Sequence, residues 1–390
     1  MRRNVSVQAV ENRSGSRSGS GSGPSARSGA ATRIARRALL KTALTTTALT
    51  AAGALALSGC ATAGNAEEGA GSGDLTKVSF ALDWAPNTNH IGVYVADELG
   101  YFEDAGLEVE ILPYGSTGST ALVSAGEADF GIGGQSGVQV ARTAGLDLVS
   151  VYRVTQTDTG RLVVMGDRDD IERPKDLDGM VYGGFGSPLL SAYAKTVIEG
   201  DGGAGEFEEV SLDTGAYEAL SQGRIDFTLS VVTWEDVEMR LDGHPYKAFR
   251  YQDFGLPEQQ STGIVSSDTY LEAHPDEART FVEAVARGYE YAAKHPEKAA
   301  DLLIQANPDE LGAAKELVHE SAKLMAEDGY LVSSERPIGA VDEKAWAEFG
   351  RFLFEQKLLV DKSGKPVSQE PDWSEYYTNE YTQGATGESS

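Results

Sequence analysis

The chain has 390 residues, 41% of them hydrophobic and 24% charged, with a formal net charge of −27 and a single cysteine, Cys60. Such acidity repels phosphate backbones and anionic lipid headgroups, which disfavours nucleic-acid binding and direct headgroup binding. One cysteine allows no internal disulfide and no set of thiolate ligands, so packing must hold the fold.

Residues 1–59 read as a segment to be removed. The Ser/Gly/Arg stretch from Asn12 to Gly29 cannot bury a core, and Arg36-Arg37-Ala38-Leu39-Leu40-Lys41 then precedes a 14-residue apolar and threonine run, Ala43 to Ala56. A bilayer span needs about 20 residues, so the run is an export signal rather than a transmembrane helix. Leu57-Ser58-Gly59-Cys60 resembles the lipobox of bacterial lipoproteins, in which the cysteine is acylated and becomes the first residue of the mature chain. An ordinary secretory peptide cut nearby is the alternative. Arg36-Arg37 also resembles a twin-arginine signal, which leaves the export route open between the Sec and twin-arginine systems. Residues 1–59 hold nine Arg and Lys and one Glu, so their removal takes the charge from −27 to −35. Residues 60–74, rich in Gly, Ala and acids, read as a flexible lipidated tether.

From there strands and helices alternate. Lys77–Leu82, Leu107–Leu112, Ala128–Ile132 and Leu146–Tyr152 read as strands, and Ile91–Leu99, Thr120–Ser124 and Gly137–Thr143 as helices. That rhythm predicts a mostly parallel sheet covered on both faces, a first α/β lobe over residues 75–166. Arg161–Met165 reads as a strand leaving this lobe, with Asp167–Asp178 as the crossing. A second lobe over 167–257 would contain strands at Met180–Tyr182, near Val210 and at Phe227–Val232, with helices Pro188–Ile198 and Tyr217–Gln222. Thr262–Val265 reads as the return strand, and amphipathic helices follow at Pro275–Lys294, Glu297–Gln305, Leu311–Glu327 and Asp342–Gln356. Residues 258–381 are thus expected to rejoin the first lobe, and 382–390 read as a disordered tail. A chain that goes out to a second lobe and back makes a hinged pair with a ligand cleft between. No internal repeat of fixed period is visible.

Few motifs carry chemistry. Gly131-Ile132-Gly133-Gly134-Gln135-Ser136-Gly137 and Gly183-Gly184-Phe185-Gly186-Ser187 follow strands, but neither matches a nucleotide-binding pattern. They read as strand-to-helix turns that either line a cleft or simply turn the chain tightly. Five histidines, His90, His244, His274, His295 and His319, show no metal-ligand spacing, and no G-x-S-x-G elbow is present. No metal, cofactor or catalytic residue is therefore expected. Trp234-Glu235 follows an apolar strand, and Tyr182 ends a neighbouring one. Such strand ends are where ligands bind in parallel sheets. An aromatic ring there can stack on a flat heterocycle, and a carboxylate can accept from an aminopyrimidine edge; a packed tryptophan beside a solvated glutamate is the plainer alternative.

The stretch Phe80-Ala81-Leu82-Asp83-Trp84-Ala85-Pro86-Asn87-Thr88-Asn89-His90, with Gly100-Tyr101-Phe102 and Ala125-Gly126-Glu127-Ala128-Asp129-Phe130-Gly131, closely resembles the thiamine-pyrimidine family. That family holds eukaryotic hydroxymethylpyrimidine synthases and bacterial solute-binding proteins for thiamine-precursor pyrimidines. Trp234-Glu235-Asp236-Val237-Glu238 resembles the W-E-G-I-E stretch of the bacterial binders, with Asp236 in place of glycine, and Tyr377-Thr378-Asn379-Glu380-Tyr381 resembles the C-terminal segment. The resemblance implies a two-lobed periplasmic-binding-protein fold of type II, with Trp84, Asn87 and His90 facing the cleft from one lobe and Tyr182, Trp234 and Glu235 from the other. Ser116, Thr117, Gln135 and Ser136 are strand-end polar residues added from the pattern. Where the synthases carry a lysine that binds pyridoxal phosphate and a histidine, this chain has Gly133 and Gly137, and Gly255–Gly263 lacks the synthases' iron-binding cysteines. The expected protein is a monomeric receptor, lipid-anchored outside the cell, that delivers a pyrimidine to an ABC permease and its ATPase. Riboflavin, an alkanesulfonate or nitrate are alternative solutes, and a synthase is the alternative class.

Overall fold

The computed structural model describes residues 75–212 and 215–383, so the export signal, Cys60 and the tether lie outside the described residues. The first sheet has the order β2-β1-β3-β10-β4. Its strands are β1 (Thr76–Ala81), β2 (Leu107–Leu112), β3 (Phe130–Ile132), β4 (Val149–Arg153) and β10 (Gly263–Ser266). β1 pairs in parallel with β2 and β3, whereas β10 runs antiparallel between β3 and β4. α1 (Ile91–Glu98) and α2 (Tyr101–Asp104) connect β1 to β2 and α3 (Ser119–Ser124) connects β2 to β3, the crossovers that parallel pairing requires, and α4 (Gln135–Thr143) leads from β3 to β4. Gly100 and Gly106, at φ 71° and 78°, supply the left-handed turns that end α1 and admit β2.

The second lobe repeats this plan. It comprises β5 (Gly160–Met165), β6 (Val181–Gly184), α5 (Pro188–Gly200), β7 (Glu208–Ser211), α6 (Gly215–Ser221), β8 (Thr228–Val231), α7 (Glu235–Leu241) and β9 (Tyr246–Arg250). β6 pairs in parallel with β7, β5 pairs antiparallel with both β8 and β9, and one parallel bridge, Tyr182 to Phe227, joins the two ladders. The order β7-β6-β8-β5-β9 therefore matches β2-β1-β3-β10-β4 position by position, with the fourth strand reversed in each. In both lobes that reversed strand is the one that has just crossed over.

The crossings sit elsewhere than expected. Arg161–Met165 is already the middle of the second sheet, because Leu162, Val163 and Val164 are fully buried there. The outward crossing is Val154–Thr159 and the return runs from Tyr251 to Thr262. The charged stretch 167–178 is instead a loop pinned to the second lobe: Arg168 pairs with Asp170 and Asp226, and the Lys247 ammonium donates to the carbonyls of Arg168 and Ile171.

After β10 come α8 (Asp268–Ala273), α9 (Pro275–Lys294), α10 (Pro296–Ala306), α11 (Pro308–Leu311), α12 (Lys315–Glu327) and α13 (Glu343–Glu355). The helix expected over Leu311–Glu327 is interrupted after Leu311, with the Gly312 amide closing onto the Pro308 carbonyl. Thr382, placed in the expected tail, is buried and bonds to Asn379. Among the described residues no helix is long and apolar enough to cross a membrane.

Among the described residues three apolar clusters hold the lobes, the smallest being Val163, Ala216, Ala219, Leu220 and Ile225 of the second lobe. One covers a face of the first sheet, where Phe281 of α9 stacks on Phe130 at 4.1 Å and on Phe102 at 5.5 Å; full burial of each such side chain contributes roughly 1.5–3 kcal/mol. α9 approaches α1 closely because Gly92 and Gly288 face one another, and a Cβ on Gly288 would strike the Gly92 carbonyl. The second cluster covers the other face and continues into the second lobe through α13, whose Phe349 meets Tyr193 of α5 edge-on at 5.8 Å.

Candidate functional site

A cleft of about 330 Å³ opens where the lobes and both crossings meet. The first lobe contributes Asp83, Asn89 and Ser136. Asp83 stands just past β1, and its carboxylate accepts from His90 Nε2 at 2.9 Å. The direction follows from the other nitrogen: Nδ1 accepts the Asn87 backbone N–H at 3.3 Å, so Nε2 carries the proton. Asn87 Oδ1 in turn accepts from the Asn89 amide at 2.9 Å and caps the short 3-10 turn 88–90. Asn87 and His90 are thus buried beneath the loop, and Asp83 and Asn89 are what they present.

The crossings form the cleft floor. Asp158, only 2% exposed, accepts from the Gly160 amide on Oδ1 at 2.9 Å and from Gln252 and Gln259 on Oδ2 at 3.1 and 3.0 Å. Burial pushes its pKa up to about 6 against those hydrogen bonds. Arg161 lies near but donates to the carbonyls of Asp158 and Gly160 and to the Tyr330 hydroxyl. Behind the floor the fully buried Arg153 donates to the Gly133 and Gln260 carbonyls and to Ser150, and burial lowers its pKa to about 9.

The second lobe supplies Phe185, Leu190, Tyr193 and Tyr251, with Ser230 and Val231 as a wall. That wall is braced from behind: Glu235 accepts the Val231 amide at 3.0 Å and Asp236 accepts from the Ser230 hydroxyl at 2.5 Å. Burial, opposed by backbone hydrogen bonds and assisted by the Asp236 and Glu238 charges, pushes Glu235 up to about 7; burial raises Asp236 as well. One flank of the cleft is closed by lobe-to-lobe contacts. Ser321 of α12 bonds both Thr88 and the Thr233 carbonyl, Arg240 pairs with Glu320 at 3.1 Å, and Trp234 packs on the first lobe's core.

Of the residues singled out from the sequence, the structure puts Ser136 on the cleft surface and Glu235 behind its wall. Gln135 is buried one step back, accepting from the Gln260 amide at 2.9 Å. Trp84 is 43% exposed at the ends of β1 and β2, tilted against Tyr114 at 5.2 Å, and Ser116 and Thr117 lie exposed in the loop before α3. Tyr182 is fully buried in the second lobe's core, stacked on Phe227 at 5.3 Å. Asp158, Tyr193, Tyr251 and Gln259 were not anticipated. The polar strings Thr155–Gly160 and Gln259–Thr262, each leading into an apolar strand, are a signal for Asp158 and Gln259, whereas nothing local sets Tyr193 or Tyr251 apart. Among the described residues lining the cleft none is lysine or arginine, and two are carboxylates. Among the described residues no cluster could hold a metal ion.

The family described as NMT1/THI5 like matches residues 87–299. The chain is 30% identical over 281 residues to a formylaminopyrimidine-binding protein of Halalkalibacterium halodurans, covering 70% of this chain and 83% of the relative. It is 22% identical over 247 residues to a 4-amino-5-hydroxymethyl-2-methylpyrimidine phosphate synthase of Saccharomyces cerevisiae, covering 60% and 72% respectively. Among solved structures, the alkanesulfonate-binding protein SsuA from Xanthomonas axonopodis pv. citri, bound to MOPS, superposes with a TM-score of 0.58 at 15% identity over 75% of this chain and 96% of that one. The fold is the two-lobed periplasmic-binding-protein fold.

Proposed function

The chain belongs to the NMT1/THI5-like family, and from that membership we propose that it is a solute-binding receptor for a thiamine-precursor pyrimidine of the hydroxymethyl or formylamino type. The observation that carries the reading is the lining of the cleft: aromatic rings and two carboxylates, with no lysine or arginine among the described lining residues. A flat ring gains contact area against Phe185 and Tyr251, and its amino group donates to a carboxylate. A sulfonate or nitrate would meet negative charge without a compensating cation, which costs binding energy in a partly desolvated cleft.

Ser136 touches the ligand directly in this reading. Asn87 and His90 act by holding Asp83 and Asn89 in place, Glu235 acts through the wall it braces, and Trp84 swings over the ring from the rim. A ligand that touches both lobes binds the closed state better, and that difference drives the hinge. The receptor class is favoured over the synthase class because Gly133 and Gly137 stand where the resemblance puts the synthases' lysine and histidine. At Gly133 a Cβ would lie 2.7 Å from Val265, so the position has no room for a lysine without repacking. Acylated Cys60 anchors the receptor to the outer face of the membrane, and the bound pyrimidine passes to an ABC permease powered by its ATPase.

Titrating the protein with 4-amino-5-hydroxymethyl-2-methylpyrimidine, riboflavin and taurine while following tryptophan fluorescence tests the reading. The pyrimidine should give saturable quenching. Binding of taurine alone would overturn it.

A further inference from the structure

The floor of the cleft holds two groups left unfinished by the protein. Asp158 is a buried carboxylate with no cation bonded to it among the described residues. A carboxylate offers about four acceptor positions, and the Gly160 amide, Gln252 and Gln259 fill three, leaving one on Oδ1. Beside it is Tyr193, 3% exposed, whose hydroxyl lies near Ser136 and Gln259 yet makes no hydrogen bond of good geometry among the described residues. The Tyr193 ring is fixed edge-on between Tyr251 and Phe349, at 6.0 and 5.8 Å, so the hydroxyl cannot turn away to find another partner. A buried hydroxyl without a partner and a buried carboxylate with an empty acceptor position each cost free energy. Both line the same cavity.

We propose that Asp158 and Tyr193 form the specificity-determining subsite of the cleft, which reads an N–H donor beside a ring acceptor, the edge presented by a 4-aminopyrimidine. Asp158 accepts the exocyclic amine, and the Tyr193 hydroxyl donates to the adjacent ring nitrogen. This deepens the receptor reading above and rests on it. The subsite rejects ligands that present an acceptor at both places, since a lone pair would then face the Asp158 carboxylate. It also explains how a ligand is sensed at the pivot. Asp158 lies on the outward crossing, and its partners Gln252 and Gln259 lie on the return, so a donor on Oδ1 acts on both strands of the hinge at once.

The test uses calorimetric titration of the wild type, Tyr193→Phe and Asp158→Asn with 4-amino-5-hydroxymethyl-2-methylpyrimidine and with its 4-oxo analogue. The wild type should prefer the amino compound. Tyr193→Phe removes a buried hydroxyl that costs free energy while unpaired, so it should leave the urea midpoint unlowered or slightly raised and weaken the amino compound about tenfold or more. Asp158→Asn should reduce or reverse the preference between the two compounds. Wild-type binding with full affinity and unchanged preference in both variants would overturn the subsite while leaving the receptor reading intact. If the wild type takes riboflavin in place of either pyrimidine, the pyrimidine reading fails. Weakened riboflavin binding in Tyr193→Phe would still support the subsite, and unaltered binding would refute it. Binding of taurine alone overturns both.

Discussion

Replacing Glu235 with glutamine should make the protein more stable, and only at neutral and alkaline pH. In the folded chain burial holds the Glu235 carboxyl at about 7, against an ordinary value of 4.5. Between those two values the folded state keeps a proton that the unfolded chain has released. Stability therefore falls as pH rises through this window and levels off above it. The full displacement corresponds to roughly 3 kcal/mol at pH 8. Glutamine has no charge to desolvate, and its Oε1 can still accept the Val231 amide that Glu235 accepts at 3.0 Å. Asp158 and Asp236, also raised by burial, titrate in both proteins and largely cancel in the comparison. Urea unfolding followed by circular dichroism should give nearly equal midpoints at pH 4.5. At pH 8 the midpoint of Glu235→Gln should be higher by about 1 M, for a slope of about 3 kcal/mol per molar. An equal gap at both pH values, or a less stable variant at pH 8, would refute the reasoning.

Two further outcomes are expected. Gly288→Ala should destabilise by about 1–3 kcal/mol in the same urea assay, because its Cβ meets the Gly92 carbonyl. Gly137→Ala, with open space around it, should be neutral or slightly stabilising, and equal effects would show that close approach of α1 and α9 is not what Gly288 provides. Cells fed labelled palmitate should label the wild type but not Cys60→Ser; equal incorporation would remove the lipid anchor from the proposal.

The parts of the fold that were legible in the sequence are those where local pattern and final burial agree. β1 and β2 lie where the apolar runs Lys77–Leu82 and Leu107–Leu112 placed them, because glycines with left-handed dihedrals bound the intervening helices. β9 is not legible because Tyr246-Lys247-Ala248-Phe249-Arg250 has one buried residue, Phe249, and polar neighbours. α7 was hidden likewise, for Val237 is its only buried residue. The crossing at Val154–Thr159 could not be found locally, since whether Leu162 to Val164 belong to the first or second sheet depends on pairing with Thr228–Leu229 and Lys247–Phe249, far along the chain.

The site shows the same division. The loop after β1 was located correctly in the chain, but Asn87 and His90, its most chemical-looking residues, satisfy the loop's own hydrogen bonds. The run Met180–Tyr182 puts a strand end at Tyr182, whereas β6 runs on to Gly184 and the Tyr182 ring is fully buried against Phe227. Asp158 and Tyr193 are 35 positions apart on different elements, and only the tertiary fold joins them.

The place of β10 has a consequence for the order in which the molecule can be assembled. Until residue 263 has been made, β4 has no strand beside it and β3 has one open edge, because β10 fills the gap between them. The second sheet, residues 160–250, needs nothing that lies further along the chain. As the chain leaves the ribosome, the first sheet therefore cannot be complete before every strand of the second has been made, and two exposed edges have to be kept from pairing elsewhere in the meantime. The lobe that begins first in the sequence is the last whose sheet can close.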